Sequence, residues 1–209
     1  VGSEMCIRDR YIPSEDNLIH HWDFEDGSGS LAQDSVNSST ALTLNNMDSS
    51  NWRTCVDGSC LWYDGVDDYI DVNVDDWVGN FTVSQWVWAN TSSLPTYASV
   101  FAVDNAAGSN GSFQHAVVNG DWKLHTNQSQ AFGAVQEQEW THLVTVFEGV
   151  TARQYLDGVL VRTTTYSSGA LNNVDLYKLG VNRAGSSFFE GMIDNCLLYT
   201  SDAADEEDS

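Results

Sequence analysis

Hydrophobic and polar residues alternate with a period of two along most of this chain. The stretch FTVSQWVWA divides into two faces: Phe81, Val83, Gln85, Val87 and Ala89 on one, and Thr82, Ser84, Trp86 and Trp88 on the other. Such alternation is typical of β-strands that bury one face. It recurs at residues 18–25, 69–74, 99–103, 113–118, 122–126, 141–147, 153–161 and 188–194. We find no amphipathic helical pattern, so the sequence predicts an all-β fold.

Turn-forming dipeptides separate these stretches. They are Asp26-Gly27, Asp64-Gly65, Asn119-Gly120 and Asp157-Gly158. Asx-Gly pairs favour tight hairpins because both residues tolerate a positive φ. Ten or more short strands, only two prolines and no repeat or linker predict a single domain built as a two-sheet antiparallel sandwich.

The order of the motifs is more specific than their alternation. LIHHWDFEDGSGSLAQDS, LWYDGVDDYIDV, FTVSQWVWAN, EWTHLVTVFEG, RQYLDGVLV, YKLGVN and FFEGMIDN follow one another along the chain. Together they resemble the laminin-G-like, concanavalin A-like jelly-roll domain over residues 17–195. The resemblance implies that the first and last strands are neighbours. It also implies a module of a larger secreted or cell-surface protein, and glycan binding is the commonest function of related modules.

Both ends of the chain differ from the part between them. Residues 5–9 and the first two bases of the Arg10 codon can be written ATGTGTATAAGAGACAG. The reverse complement encodes Cys-Leu-Leu-Tyr-Thr, as in residues 196–200. This inverted pair resembles sequencing-library adapters. We therefore expect residues 1–10 and 196–209 to be adapter-derived and 11–195 to be the jelly-roll domain, with 196–199 completing its last strand. The alternative is a native head and a native acidic tail.

The chain is strongly acidic, with a formal net charge of −22. Without its two ends it keeps 23 acidic and 6 basic residues, a net charge of −17. This charge disfavours nucleic acid and anionic membranes as partners. It is compatible with cation binding or simply with a solvated acidic surface. No apolar run is long enough to span a membrane, so we expect no membrane insertion.

Two cysteines, Cys55 and Cys60, flank the Asp57-Gly58 turn in CVDGSC. A small disulfide-closed turn fits this spacing, although two reduced core thiols or half of a metal site are alternatives. The disulfide would indicate an oxidising compartment, and hence an extracellular or cell-surface location.

Catalysis is not expected. Enzymatic relatives of the laminarinase kind carry a Glu-x-Asp-x-x-Glu strand, and this pattern is absent. No nucleophile elbow is present either. The tryptophans Trp86 and Trp140 are interpreted as core residues, and His142 as structural.

A structural calcium ion is the candidate cofactor, since hard cations prefer several oxygen ligands. The resemblance implies that Glu25, Asp34 and Asp194 converge where the terminal strands meet. Solvated loop carboxylates are the alternative reading. A second candidate is the acidic run of Asp64, Asp67 and Asp68, which turn formation also explains.

The candidate ligand-binding residues are aromatic and polar side chains that a core does not readily explain. They are Trp88, Trp122, His115, His125 and Asn119. Sugar rings stack on exposed aromatic side chains and accept hydrogen bonds from polar neighbours. We expect a non-catalytic module that binds a glycan or an extracellular protein beside other domains of its parent chain. The alternatives are a protein-adhesion or spacer module without a sugar site, and a glycoside hydrolase.

Overall fold

The computed structural model describes residues 17–55, 58–77, 80–91, 93–104, 113–126, 129–166 and 174–200. The predicted adapter-derived residues 1–10 and 201–209 lie outside these ranges. Within them, sixteen strands alternate with turns and one short 3-10 turn at Ser38–Thr40.

The strands follow one another at short intervals. They are β1 (Leu18–Trp22), β2 (Leu31–Ala32), β3 (Leu42–Asn45), β4 (Trp52–Thr54), β5 (Ser59–Asp64), β6 (Tyr69–Trp77), β7 (Phe81–Ala89), β8 (Ala98–Asp104), β9 (Phe113–Val118), β10 (Asp121–His125), β11 (Ser129–Ala134), β12 (Trp140–Glu148), β13 (Thr151–Leu156), β14 (Val159–Thr165), β15 (Val174–Leu179) and β16 (Glu190–Thr200).

These strands form two antiparallel sheets, which confirms the predicted jelly-roll sandwich. The first sheet has the order β14-β13-β12-β7-β16-β5-β4, and β1 also pairs with β16. The second has the order β11-β10-β9-β8-β15-β6-β3-β2. The first and last strands are therefore neighbours, as expected. Strand β16 continues through residues 196–200, which pair with β1 and β7.

The core lies between the two sheets and is rich in aromatic side chains. Phe81 of the first sheet meets Phe113 of the second edge-to-face, with ring centroids 5.1 Å apart. Strand β7 points Val83 and Val87 into this core, while Trp86 and Trp88 lie on the opposite face and are partly exposed. Burial of such side chains contributes about 1.5–3 kcal/mol each, so this core is a main source of stability for the sandwich.

Two of the four predicted turns adopt the two-residue hairpin conformation, whereas at Asp26-Gly27 and Asp64-Gly65 only the glycine has a positive φ. Asn119 and Gly120 have φ values of 55° and 78°, and Asp157 and Gly158 have 50° and 78°. Two consecutive positive φ values match the twist of a two-residue hairpin. The predicted strand over residues 18–25, however, ends at Trp22. It ends there because Phe24 turns the chain with a φ of 56° while its ring is buried.

No helix among the described residues is long and apolar enough to cross a membrane.

Candidate functional site

The structure separates the five predicted ligand-binding residues. Trp122 is only 1% exposed and belongs to the core cluster, so it cannot stack on a sugar at the surface. His115 is completely buried between the sheets. These two assignments were wrong because β9 and β10 point both side chains inward, toward the first sheet.

The other three residues lie on different parts of the surface. His125 is on the outer side of the second sheet, where its ring lies 4.9 Å from that of Tyr97. Asn119 occupies the exposed hairpin turn between β9 and β10. Trp88 lies on the outer side of the first sheet. A common site containing all of the predicted residues is therefore not formed. Trp88 lies beside another tryptophan, with its ring centroid 6.2 Å from that of Trp62.

Trp88 is part of a row of large side chains that crosses four adjacent strands. In the sheet register Trp62 of β5 faces Met192 of β16, Met192 faces Trp88 of β7, and Trp88 faces Trp140 of β12. Directly opposed residues in antiparallel strands point to the same side. All four side chains are partly exposed. We call Trp62, Met192, Trp88 and Trp140 the aromatic row.

The aromatic row corrects the interpretation of two tryptophans. Trp140 and Trp86 were expected in the core, but both lie on the outer face of the first sheet and are partly exposed. Their strand neighbours Val87 and Leu143 fill the core instead. Alternation within β7 already placed Trp86 beside Trp88. Trp62, Met192 and Trp140 were missed because their proximity depends on the pairing of strands distant in sequence.

A second row runs beside the aromatic row, two residues further along each strand. In it Asp194 faces Trp86, and Trp86 faces His142. The imidazole of His142 stacks on the Trp86 ring, with centroids 4.7 Å apart, and its Nε2 lies 2.8 Å from the Ser84 hydroxyl. Burial lowers the pKa of His142, and the nearby Asp157 carboxylate offsets only part of this effect. The imidazole is therefore neutral at pH 7.

The Ser84–His142 pair resembles two members of a hydrolytic triad, but the neighbouring Asp157 carboxylate binds the backbone of His142 and not its imidazole. Asp157 Oδ1 accepts a hydrogen bond of 2.9 Å from the backbone N–H of His142. In a triad the carboxylate accepts from the imidazole and orients it. The Asp157 carboxylate instead fixes the turn after β13 against β12.

The predicted calcium ligands Glu25, Asp34 and Asp194 do not converge. Among the described residues, the one group of three or more potential ligands that lie close enough together is Asp64, Asp67 and Asp68. Glu25 accepts a hydrogen bond of 3.1 Å from the backbone N–H of Ser59 and thus supports the cysteine turn. Asp194 lies beside Trp86 on the outer face of the first sheet.

Asp34 has a structural role that its sequence position did not reveal. Its carboxylate is 2.6 Å from His20 Nδ1, accepts from the Thr40 hydroxyl, and accepts from the backbone N–H of His21 and Val36. Burial would raise the pKa of Asp34, but these hydrogen bonds outweigh it and lower the pKa. The carboxylate holds the loop around Thr40 against β1, and its oxygens are already engaged.

The Asp64, Asp67 and Asp68 group offers the hard oxygen ligands that calcium prefers. Asp64 Oδ1 accepts from the backbone N–H of Val66 at 2.8 Å, and Asp68 Oδ2 accepts from Asn51 Nδ2 at 2.7 Å. Burial, followed by the charge of Asp64, raises the pKa of Asp68, against the lowering effect of its hydrogen bonds. The Asp67 side chain is exposed. The group could hold a metal ion, and the turn uses two of its carboxylates.

The disulfide between Cys55 and Cys60 is formed as predicted. Cys55 Sγ lies 3.9 Å from Met192 Sδ. The disulfide-closed turn therefore borders the aromatic row at the end formed by Trp62 and Met192.

Comparison with known proteins places this geometry in a family. The profile of the concanavalin A-like lectin/glucanases superfamily matches residues 64–207. No curated protein matches the chain significantly.

Similar solved structures share the sandwich at low sequence identity. Domain 4 of AbnA, an extracellular GH43 arabinanase from Geobacillus stearothermophilus solved with arabinotriose, aligns with a TM-score of 0.67 and 20% identity, covering 88% of this chain and 93% of that one. Trypanosoma rangeli sialidase in complex with sialic acid aligns with a TM-score of 0.66 and 15% identity. That alignment covers 91% of this chain and 32% of the sialidase. The chain belongs to the concanavalin A-like lectin/glucanases superfamily.

Proposed function

We propose that this chain is a non-catalytic carbohydrate-binding module that binds glycan on the outer face of its first sheet. The observation that carries this proposal is the aromatic row, in which Trp62, Trp88 and Trp140 are partly exposed on adjoining positions. Aromatic rings offer flat apolar faces with a polar edge, and sugar rings pack on such faces. Contiguous partly exposed aromatic side chains are also uncommon on a surface that has no partner.

Related structures support a sugar ligand. The AbnA domain was solved in complex with arabinotriose, and the sialidase in complex with sialic acid. Both proteins share the fold of this chain, and one fold carries many functions. The proposal therefore rests on the aromatic row and takes only general support from these relatives.

Absence of catalysis is part of the proposal. The Ser84–His142 pair is close enough for proton transfer, but the Asp157 carboxylate binds the backbone N–H of His142. Glu190 and Asp194, the carboxylates of β16 beside the aromatic row, lie on one strand four residues apart. At about 3.4 Å per residue their Cα atoms are about 14 Å apart along the strand, compared with about 5–10 Å between the two carboxyl groups of glycosidases.

The proposed setting is outside the cell or at its surface, within a larger parent protein. The Cys55–Cys60 disulfide supports an oxidising compartment. The net charge of −22 disfavours nucleic acid and anionic membranes as partners. A structural calcium ion is proposed at Asp64, Asp67 and Asp68, because Glu25, Asp34 and Asp194 do not gather.

The proposal is tested by affinity electrophoresis of the full chain against soluble neutral polysaccharides such as arabinan, mixed-linkage β-glucan, xylan and galactomannan. We expect retardation by at least one of them, and about tenfold weaker binding for Trp88→Ala, equivalent to about 1.4 kcal/mol. Tyr155→Ala is the matched control, since Tyr155 lies on the same face but outside the aromatic row. Equal binding by both variants and the wild type would refute the site.

A protein-adhesion module is the second candidate, and one feature favours it. Strand β14 is at the edge of the first sheet and exposes Val159 by 62%, Leu160 by 51% and Val161 by 43%. Exposed apolar edge strands can pair with another chain. Leu160→Lys would abolish such an association and leave polysaccharide binding unchanged, so sedimentation and electrophoresis of this variant distinguish the two candidates.

A further inference from the structure

The aromatic row has a shape that restricts its ligand. Trp62 and Trp88 are on strands separated by β16, so their backbones are about 9.6 Å apart at two strand spacings. Their ring centroids are nevertheless only 6.2 Å apart. The two rings therefore lean toward each other above Met192, and Trp140 extends the surface on the other side of Trp88. The whole row spans three strand spacings, or about 14 Å, enough for several sugar rings.

The rings of Trp62 and Trp88 are not parallel. The planes of Trp62 and Trp88 are tilted by 53°. Two rings tilted in this way cannot both lie flat on a planar crystalline polysaccharide. They can stack on successive sugars of a single chain whose rings rotate along its axis. The tilt thus favours one twisted chain that lies across the strands.

Carboxylates border the aromatic row on both sides. Glu190 and Asp194 are each two residues from Met192 on β16, so they share its face at about 7 Å along the strand. Glu190 Oε1 accepts from Asn90 Nδ2, which holds the carboxylate at the edge of the row.

Two of the three arginines of the first sheet are engaged away from these charges. Arg153 is paired with Glu148 on the outer face, two rows beyond the second row. Arg162 reaches to the second sheet, where it donates to the Ala131 carbonyl and to Gln130. Arg53 of the edge strand β4 is the exception, because it faces Cys60, two residues from Trp62 on β5, and therefore lies on the same outer face as the aromatic row. A ligand on the aromatic row therefore meets a negative local field within an acidic protein.

Sugar hydroxyls can bind beside Glu190 and Asp194, since hydroxyl groups donate hydrogen bonds that carboxylates accept. Uronic acids, sialic acids and sulfated sugars would instead place like charges beside Glu190 and Asp194. We propose that the aromatic row binds a single, twisted chain of a neutral polysaccharide and rejects carboxylated or sulfated glycans. This inference rests on the proposed function and specifies its ligand class.

The test compares each neutral polysaccharide with its own lightly carboxymethylated form, so that the backbone is the same and only the charge differs. Binding of the full chain is measured by affinity electrophoresis and isothermal titration calorimetry at low salt and at about 0.5 M salt. We expect the carboxymethylated form to bind at least tenfold more weakly at low salt. The difference should shrink at high salt, because screening shortens the range of the repulsion.

Two further arms complete the experiment. The Glu190→Gln, Asp194→Asn double variant should bind the carboxymethylated and the neutral form of each polysaccharide about equally, because it lacks the two charges that repel a carboxylate. Microcrystalline cellulose, a flat surface, should not retain the chain. Equal or tighter binding of the carboxymethylated form, or retention on the crystalline surface, would overturn the inference and leave the proposed function standing. Absence of binding to every polysaccharide would overturn both.

Discussion

His115 and Thr145 join the two sheets through a buried hydrogen bond, with His115 Nε2 2.7 Å from Thr145 Oγ1. On the other side of the imidazole, Gln85 Nε2 lies 3.0 Å from His115 Nδ1. An amide nitrogen only donates, so Nδ1 accepts and Nε2 carries the proton that is donated to Thr145. This arrangement requires a neutral imidazole in the centre of the core.

The buried imidazole makes stability depend on pH. Burial lowers the pKa of His115 to about 3, far below its ordinary value of 6.5. Above pH 6.5 both the folded and the unfolded chain hold the neutral form, and its contribution is complete. As the pH falls from 6.5 toward 3, only the unfolded chain takes up the proton, so the free energy of unfolding decreases.

We therefore expect the free energy of unfolding to fall between pH 6.5 and 4.5, with His115 contributing up to about 1.4 kcal/mol per pH unit. His115→Gln, which cannot titrate, should show a shallower slope in urea titrations over the same range. The comparison with the variant removes the contributions of the other histidines. Parallel slopes would show that His115 accepts a proton without unfolding the chain.

Substitution of Trp122 should mainly lower the stability of the chain, whereas substitution of Trp88 should mainly weaken polysaccharide binding. Trp122→Ala leaves a cavity in the core and should cost about 3–5 kcal/mol of unfolding free energy, whereas Trp88→Ala removes a partly exposed ring and should cost about 1 kcal/mol. Trp122→Phe should cost much less than Trp122→Ala. It retains an aromatic ring and removes an indole N–H that has no hydrogen-bond partner among the described residues.

Chemical denaturation and affinity electrophoresis of the same variants separate the two roles. Trp122→Phe should bind polysaccharide like the wild type, because the ring is far from the outer face. Trp88→Ala should lose binding while it retains most of its stability. A binding loss in Trp122→Phe, or a stability loss of several kcal/mol in Trp88→Ala, would contradict the placement of these two side chains.

The sequence predicted the strands and their faces because alternation is a local property. Within β7 it already separated Trp86 and Trp88 from Val83 and Val87. It could also have placed Trp122 inward, since this residue alternates with the charged residues Asp121 and Lys123 in β10. Trp122 was assigned to the surface because polar residues surround it in the sequence. This criterion does not distinguish a core position from a surface position in an alternating strand.

The aromatic row itself could not be predicted from the sequence. Trp62, Trp88, Trp140 and Met192 come from four strands that are far apart in the chain, and they meet only through the order β12-β7-β16-β5. Strand order and register depend on the packing of the whole sandwich. The same holds for Glu25 and Asp34, whose hydrogen bonds with distant backbone groups replaced the calcium site expected from the resemblance.

The Cys55–Cys60 disulfide should contribute modestly to stability. Closing a loop of about six residues corresponds to about 2 kcal/mol in the chain-entropy description. The Cys55→Ser, Cys60→Ser double variant should therefore lose about 2 kcal/mol of unfolding free energy. The reduced wild type should lose a similar amount, and a reductant should have no further effect on the double variant. Stability unchanged by reduction would mean that hydrogen bonds maintain this turn without the covalent bond, among them Cys55 N–H to the Gly58 carbonyl and Ser59 N–H to Glu25.

Calcium binding at Asp64, Asp67 and Asp68 is testable by melting, because an ion that binds only the folded chain stabilises it. A hundredfold excess over the dissociation constant corresponds to about 2.7 kcal/mol, or a rise in melting temperature of about 5–10 °C for a chain of this size.

Asp67→Asn is the sharpest variant for this test. The Asp67 side chain is exposed, whereas Asp64 and Asp68 also accept hydrogen bonds from the turn and from Asn51. Asp67→Asn should abolish the calcium-dependent rise in melting temperature. In the presence of chelator its melting temperature should be close to that of the wild type. Asp194→Asn should keep the full rise, since Asp194 lies beside Trp86 and outside the acidic group. A rise that is lost in Asp194→Asn and kept in Asp67→Asn would instead restore the site expected from the sequence.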